Sequence, residues 1–274
     1  MGFSASDAAL EGFQVLRRHW RVVVGWAGFN VVGMVAIIIA ALVLTVGLVA
    51  TEAISQDALG GIGSLVAVGG DMLIQTIVAV GLYRMLLRPE APGFMHLRLG
   101  RDEARLLGIG AICAVALGLI GGAAYLLGQA LGRFSGAAPI LVGVAAVIVA
   151  LWLGLRFGLV GPMSVAEQRI DFARSWRLTR GKAWALFGMW LLNLFVVMMV
   201  WVAWWIVAFV LVGLLTGFGA SGEGAEAFTS HPFRYLLEGA SPLLFAPVIL
   251  VLQQTPYVEA YKALAGSADV GATP

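Results

Sequence analysis

The stretch LFGMWLLNLFVVMMVWVAWWIVAFVLVGLL, residues 186–215, contains no charged side chain, and just before it stand Arg174, Arg177, Arg180 and Lys182. A helix needs about 20 apolar residues to cross ~30 Å of hydrocarbon, whereas the apolar positions of a water-soluble helix recur on one face only. Residues 186–215 therefore read as a membrane span with a basic flank.

The rest of the chain is built from the same material. Of its 274 residues, 61% are hydrophobic and 12% charged, about half the charged share of an ordinary soluble domain. Apolar runs recur from about Val22 to Ala50, Ile62 to Tyr83, Leu106 to Leu131, Ala138 to Leu155, Leu186 to Leu215 and Leu243 to Leu264. The predicted fold is all-α, a polytopic transmembrane helical bundle of six spans forming a single domain over residues 1–274. Asp71 interrupts the second run, and Pro247 and Pro256 interrupt the sixth. Proline is tolerated in such helices where neighbours satisfy the freed backbone groups.

The basic residues fix an orientation. Of 17 lysines and arginines, all but Arg133 and Arg234 fall before span one, in the connections after spans two and four, or after span six. The positive-inside rule makes that side cytoplasmic and puts both termini there, which suits a bacterial inner membrane. The connections around Glu52 and Asp57, and from Glu223 to Glu238, then face outward. An acidic, polar N-terminus without an early apolar run gives no sign of a cleaved targeting segment.

A weak repeat supports three helical hairpins. Arg18-His19-Trp20 with Trp26 precedes span one, Lys182-Ala183-Trp184 with Trp190 precedes span five at the same spacing, and Arg105-Leu106-Leu107 precedes span three. Each hairpin is led in by a basic segment. In residues 4–20, Leu10, Phe13, Leu16 and Trp20 recur at helical spacing, and Ser4 with Asp7 fits a capping box. Residues 84–105 and 156–185 are expected to lie in the cytoplasmic interface as amphipathic segments.

Few residues offer chemistry. Asp71 lies within a span, where a carboxylate costs roughly 2.5–3.5 kcal/mol at the centre, and Gln75 follows one turn later. Two readings stand: a proton, cation or head-group site, or a helix broken at Gly69-Gly70 with Asp71 capping its second half. Gln253-Gln254 before Thr255-Pro256 could line a break in span six that opens onto a cavity. Asn30 and Asn193 are expected to bond between helices. Two arginine rows, Arg98, Arg101 and Arg105, and Arg174, Arg177 and Arg180, are spaced to bind anionic phospholipid head groups, or serve only to set topology.

Other classes find no support. A net charge of +2 scattered along the chain does not suit nucleic acid. His19, His96 and His231 lie in separate segments and Cys113 is the single cysteine, so no metal site is expected. No cofactor motif, nucleophile elbow or phosphate loop occurs, and no catalytic residue is nominated.

One connection carries a resemblance. Arg156-Phe157-Gly158-Leu159-Val160-Gly161-Pro162, Glu167, then Ala173-Arg174-Ser175-Trp176-Arg177-Leu178-Thr179-Arg180-Gly181 with Trp184 and Phe187 resembles bacterial YciC-like six-span proteins and the membrane domain of some glycerophosphodiester phosphodiesterases. The resemblance implies a six-span fold and an association with lipid, and no catalytic residue, since spans and short connections are expected to take up these 274 residues. The leading expectation is thus a non-enzymatic, phospholipid-handling, envelope-supporting or scaffold protein. The alternative is a small transporter or channel subunit built around Asp71. Partners would be membrane phospholipids and, through tryptophan-rich span five, a protein or second copy within the membrane.

Overall fold

A computed structural model of the chain describes residues 5–49, 56–90, 95–216 and 232–270. Ser4, Glu52 and the loop from Glu223 up to residue 231 lie outside them. The described elements are α1 (Ala5–Arg18), α2 (Trp20–Val49), α3 (Gln56–Leu87), α4 (Arg101–Gly132), α5 (Ala138–Phe157), α6 (Val160–Glu167), α7 (Phe172–Thr179), α8 (Ala183–Thr216) and α9 (Pro232–Val270). Six stretches are long and apolar enough to cross a membrane: Trp20–Val49, Leu59–Leu87, Arg101–Gly132, Ala138–Glu167, Ala183–Leu215 and Glu238–Gly266. The chain is a multi-pass membrane bundle in which α2 pairs with α3, α4 with α5 and α8 with α9.

Two of the six form the centre. The most apolar window is 39% buried in α3 and 50% in α9, but not buried at all in α2 and α5. The core follows from this: Trp26, Val78, Leu82 and Val251 form one cluster, and Leu159, Met163, Met189 and Ala260 another. Both sit toward the basic end. Along α4, Ile109 is buried, but no later residue is until Gly128, which packs on Pro139 of α5. In water such an exposed hairpin would be costly; in lipid the surrounding tails are as apolar as leucine, so the hairpin needs no other partner.

Several local expectations change. No break occurs at Gly69-Gly70, because α3 runs unbroken from Gln56 to Leu87 and Ile37 of α2 packs against Gly70, where a Cβ would come within 2.5 Å of its methyl. Asp71 is therefore a mid-helix residue and caps nothing. Nor is span six broken: α9 continues through Pro242, Pro247 and Pro256. The Thr255 hydroxyl donates to the Val251 carbonyl at 2.7 Å, next to the carbonyl that Pro256 cannot bond.

The basic end is more deeply packed than an interfacial layer. α1 lies in the groove of α8 and α9, with Gly12 so close to Leu252 that a Cβ would meet its Cα at 3.2 Å. Among the described residues of 84–105 no separate helix lies between α3, which ends at Leu87, and α4, which begins at Arg101. Within 156–185, α7 is amphipathic, but α6 buries Val160, Pro162, Met163, Ser164 and Val165. The chain turns between α5 and α6 at Gly158, where a side chain would strike the Tyr257 ring at 2.8 Å.

Candidate functional site

The central pair α3 and α9 brings four of the nominated polar residues together. Asp71 and Gln75 share a face because they are one helical turn apart, and the Gln75 amide donates to Asp71 Oδ1 at 3.3 Å. Gln253 and Gln254 meet them from α9, and Thr76 and Tyr83 complete the polar lining. The remaining walls are largely apolar: Val68, Met72, Ala79, Leu106, Ile109, Trp201, Ile249 and Leu250 line the same cavity of about 720 Å³. Asp71 stands near the middle of the Leu59–Leu87 span, so the polar stripe lies at mid-depth.

The helices around the cavity give it a floor and an open side. α3 and α9 pack together at its back, while α4 and α8 flank it without packing extensively on each other. Toward the basic end, Tyr83 donates to Gln254 Oε1 at 2.7 Å. Beneath that bond lies α6, whose Gly161 would put a Cβ 3.2 Å from the Tyr83 hydroxyl, and whose Val165 packs with Val80, Tyr83 and Val258. The cavity is thus plugged at the basic end, and Asn193 borders a smaller space of about 180 Å³ that shares Gln253 and Gln254. The Asn193 amide donates to the Gln253 carbonyl at 3.4 Å. Asn30 is elsewhere, buried in α2 with no hydrogen-bond partner among the described residues.

Below the plug lies a charged cluster that sequence reasoning missed. Arg84 donates from Nε and Nη2 to Asp102 Oδ2 at 3.2 and 3.1 Å and from Nη2 to Glu103 Oε2 at 2.9 Å. Arg105 closes the set on Asp102 Oδ1 at 3.0 Å. Arg84, Asp102 and Glu103 are all nearly sealed from solvent. Two arginines balance two carboxylates, the condition for burying charge at all. The signal available in the sequence was an arginine closing an apolar run, followed across a short loop by adjacent acids in the first turn of the next helix.

The arginine rows do not survive as rows. Arg98 precedes α4, whose first residue is Arg101, so it shares no helix face with Arg101 and Arg105. Arg98 instead lines a pocket of about 520 Å³ with Arg84, Arg88, Asp102 and Gln168, Arg101 is exposed, and Arg105 is held by Asp102. Arg174 pairs with Glu167 at 2.9 Å, Arg177 is exposed, and Arg180 lies just past the end of α7.

The residues of the family resemblance shape this end of the fold. Ser175 donates to the Arg156 carbonyl at 2.7 Å, and the Arg156 guanidinium sits over the Trp152 and Trp176 rings at 5.6 and 5.1 Å. Asp171 caps α7 by accepting from the Arg174 backbone N–H at 2.7 Å, and Tyr261 donates to Glu167 at 3.1 Å. Gly181 takes φ of +77° where the chain turns into α8. No group of three or more metal-ligating side chains occurs among the described residues. No known protein family, curated protein or solved structure matches this chain.

Proposed function

We propose that this chain is a carrier of the bacterial inner membrane, with both termini cytoplasmic, which admits an amphipathic small molecule from the bilayer and binds it without converting it. The supporting observation is the convergence of Asp71, Gln75, Gln253 and Gln254 in one cavity whose other walls are largely apolar. A polar stripe facing apolar walls matches a molecule with a polar head and an apolar body. About 720 Å³ is the volume of a drug-sized ligand site. Mid-depth sites between central helices are where carriers hold their cargo, with one end closed at a time; here the Tyr83–Gln254 bond and α6 close the cytoplasmic end.

Native mass spectrometry of the protein released directly from membranes tests the proposal. The wild type is expected to carry a bound molecule whose occupancy falls when Ala246→Trp fills the cavity, and that molecule should cross proteoliposome membranes only with the protein present. Occupancy indifferent to Ala246→Trp removes the reading.

A second reading concerns the basic end. Arg101, Arg177 and Arg180 are exposed, and so is Trp184, at 85%. That combination favours contact with anionic phospholipid head groups at about 1 kcal/mol per arginine, as an anchoring role beside the carrier.

A further inference from the structure

We infer that the cavity takes an organic monocation, an ammonium- or amidinium-type head on an apolar body, with Asp71 as its counter-charge. The inference rests on the carrier reading and adds the sign of the charge.

The geometry supplies the charge arithmetic. Among the described residues that line the cavity Asp71 is the one acidic side chain, and no lysine, arginine or histidine joins it. Among the described residues Asp71 makes no ion pair, and its carboxylate accepts from the neutral Gln75 amide. Charged side chains at membrane depth pair with one another or with backbone groups, or mark a ligand pathway. Asp71 has no ion-pair partner among the described residues, and a cationic occupant would supply one. An anion would be repelled, and a neutral molecule would leave the carboxylate uncompensated in a largely apolar space.

The lining also selects among cations. Calcium takes six to eight oxygens and magnesium a near-ideal octahedron, and one carboxylate among scattered amides on apolar walls offers neither. A single negative charge suits a single positive one. Trp201 and Tyr83 add aromatic surface, to which organic cations are attracted, and Ala79, Ala246 and Gly110 leave room for bulk beside them.

Tetraphenylphosphonium and tetraphenylborate, equal in shape and opposite in charge, test the inference by equilibrium dialysis against the full chain in nanodiscs, with binding to empty nanodiscs subtracted. The phosphonium should bind, the borate should not, and Ala246→Trp should abolish phosphonium binding. Asp71→Asn should weaken the phosphonium by about tenfold or more, whereas Asp71→Glu keeps the charge and should stay within a few-fold. Thermal unfolding of each variant shows that it is folded. If both probes bind equally and both are lost in Ala246→Trp, the cavity reading stands and the cation inference falls. If neither binds, both fall. If phosphonium binding survives Asp71→Asn unchanged, Asp71 is not the counter-charge and the inference is overturned.

Discussion

Arg84 and Asp71 are charged residues of the same helix, about 20 Å apart at 1.5 Å per residue, and their surroundings are opposite. Arg84 is enclosed by Asp102 and Glu103, with Arg105 balancing the second carboxylate. Asp71 faces a cavity, where the one side chain bonded to it is the neutral Gln75 amide. A charge whose partners are all in place can only hold structure together, because every group that could respond to a ligand is already engaged. A charge without a partner destabilises the empty protein and leaves its interaction energy available for something that comes and goes. The two positions therefore separate, within one helix, what the fold needs from what the function needs.

The largest test of that separation is Arg84→Met. Removing one member of a buried ion set leaves Glu103 uncompensated and Asp102 with Arg105 alone, a loss of roughly 3–5 kcal/mol, read as a lower unfolding temperature in nanodiscs. Combining it with Glu103→Gln should recover much of the loss, since Arg105 still balances Asp102 and no buried carboxylate is then left alone. An Arg84→Met protein as stable as the wild type would mean that the cluster holds nothing.

Asp71→Asn should act in the opposite direction. Removing an unpaired carboxylate from mid-depth relieves part of an insertion cost of roughly 2.5–3.5 kcal/mol, so the unfolding temperature should stay level or rise while phosphonium binding collapses. A variant that loses stability as Arg84→Met does would show that Asp71 is a structural residue after all, and the contrast between the two sites would disappear.

The difference between these sites also explains what could be read from the sequence. Length and the absence of charge identify spans, so residues 186–215 and the other five runs were legible, and Asp71 stood out because a lone carboxylate is conspicuous in such a run. Its meeting with Gln253 and Gln254 was not legible, since it depends on α3 packing on α9 and no local pattern encodes that. Gly69-Gly70 looked like a break because a lone strand of sequence hides Ile37, which fills the gap beside Gly70. Asp102 and Glu103 drew no reading, because their partner Arg84 sits on another helix, 18 and 19 positions earlier. Residues 156–185 were expected in the interface, yet α6 is apolar enough to be drawn inward as the plug.

A smaller effect is expected at the boundary between the two regions, where Tyr83 bonds Gln254. Tyr83→Phe removes one interhelical hydrogen bond, worth about 0.6 kcal/mol on average in membrane proteins. Gln254→Leu should cost a similar amount, and the double variant little more than either alone. If the bond is part of the closed gate, both variants should also make an engineered Thr76→Cys, in a Cys113→Ala background, more reactive to a water-soluble maleimide added from the basic side. Unchanged reactivity would make this bond packing detail and place the barrier in α6 alone.

The smallest expected effect lies at the hinge between α1 and α2, outside the spans. His19 accepts with its carbonyl from the Val22 and Val23 N–H groups, and its side chain borders a pocket with Glu11, Arg17, Arg18, Glu259 and Lys262. Burial first, then the nearby Arg18 and His96, lower the His19 pKa below its ordinary value of 6.5. The fold thus favours the neutral imidazole, and the unfolded chain binds the proton more readily. Stability from this group is fully present above about pH 6.5 and declines as the pH falls through that value toward the lowered folded pKa. The wild type should therefore lose slightly more thermal stability than His19→Gln on going from about pH 7.5 to about 5.5. Although α1 packs along α9, loosening there should leave phosphonium binding at Asp71 unaltered at the same pH. A matching fall in binding that His19→Gln abolishes would tie the basic end to the cavity and end the division of labour drawn between them.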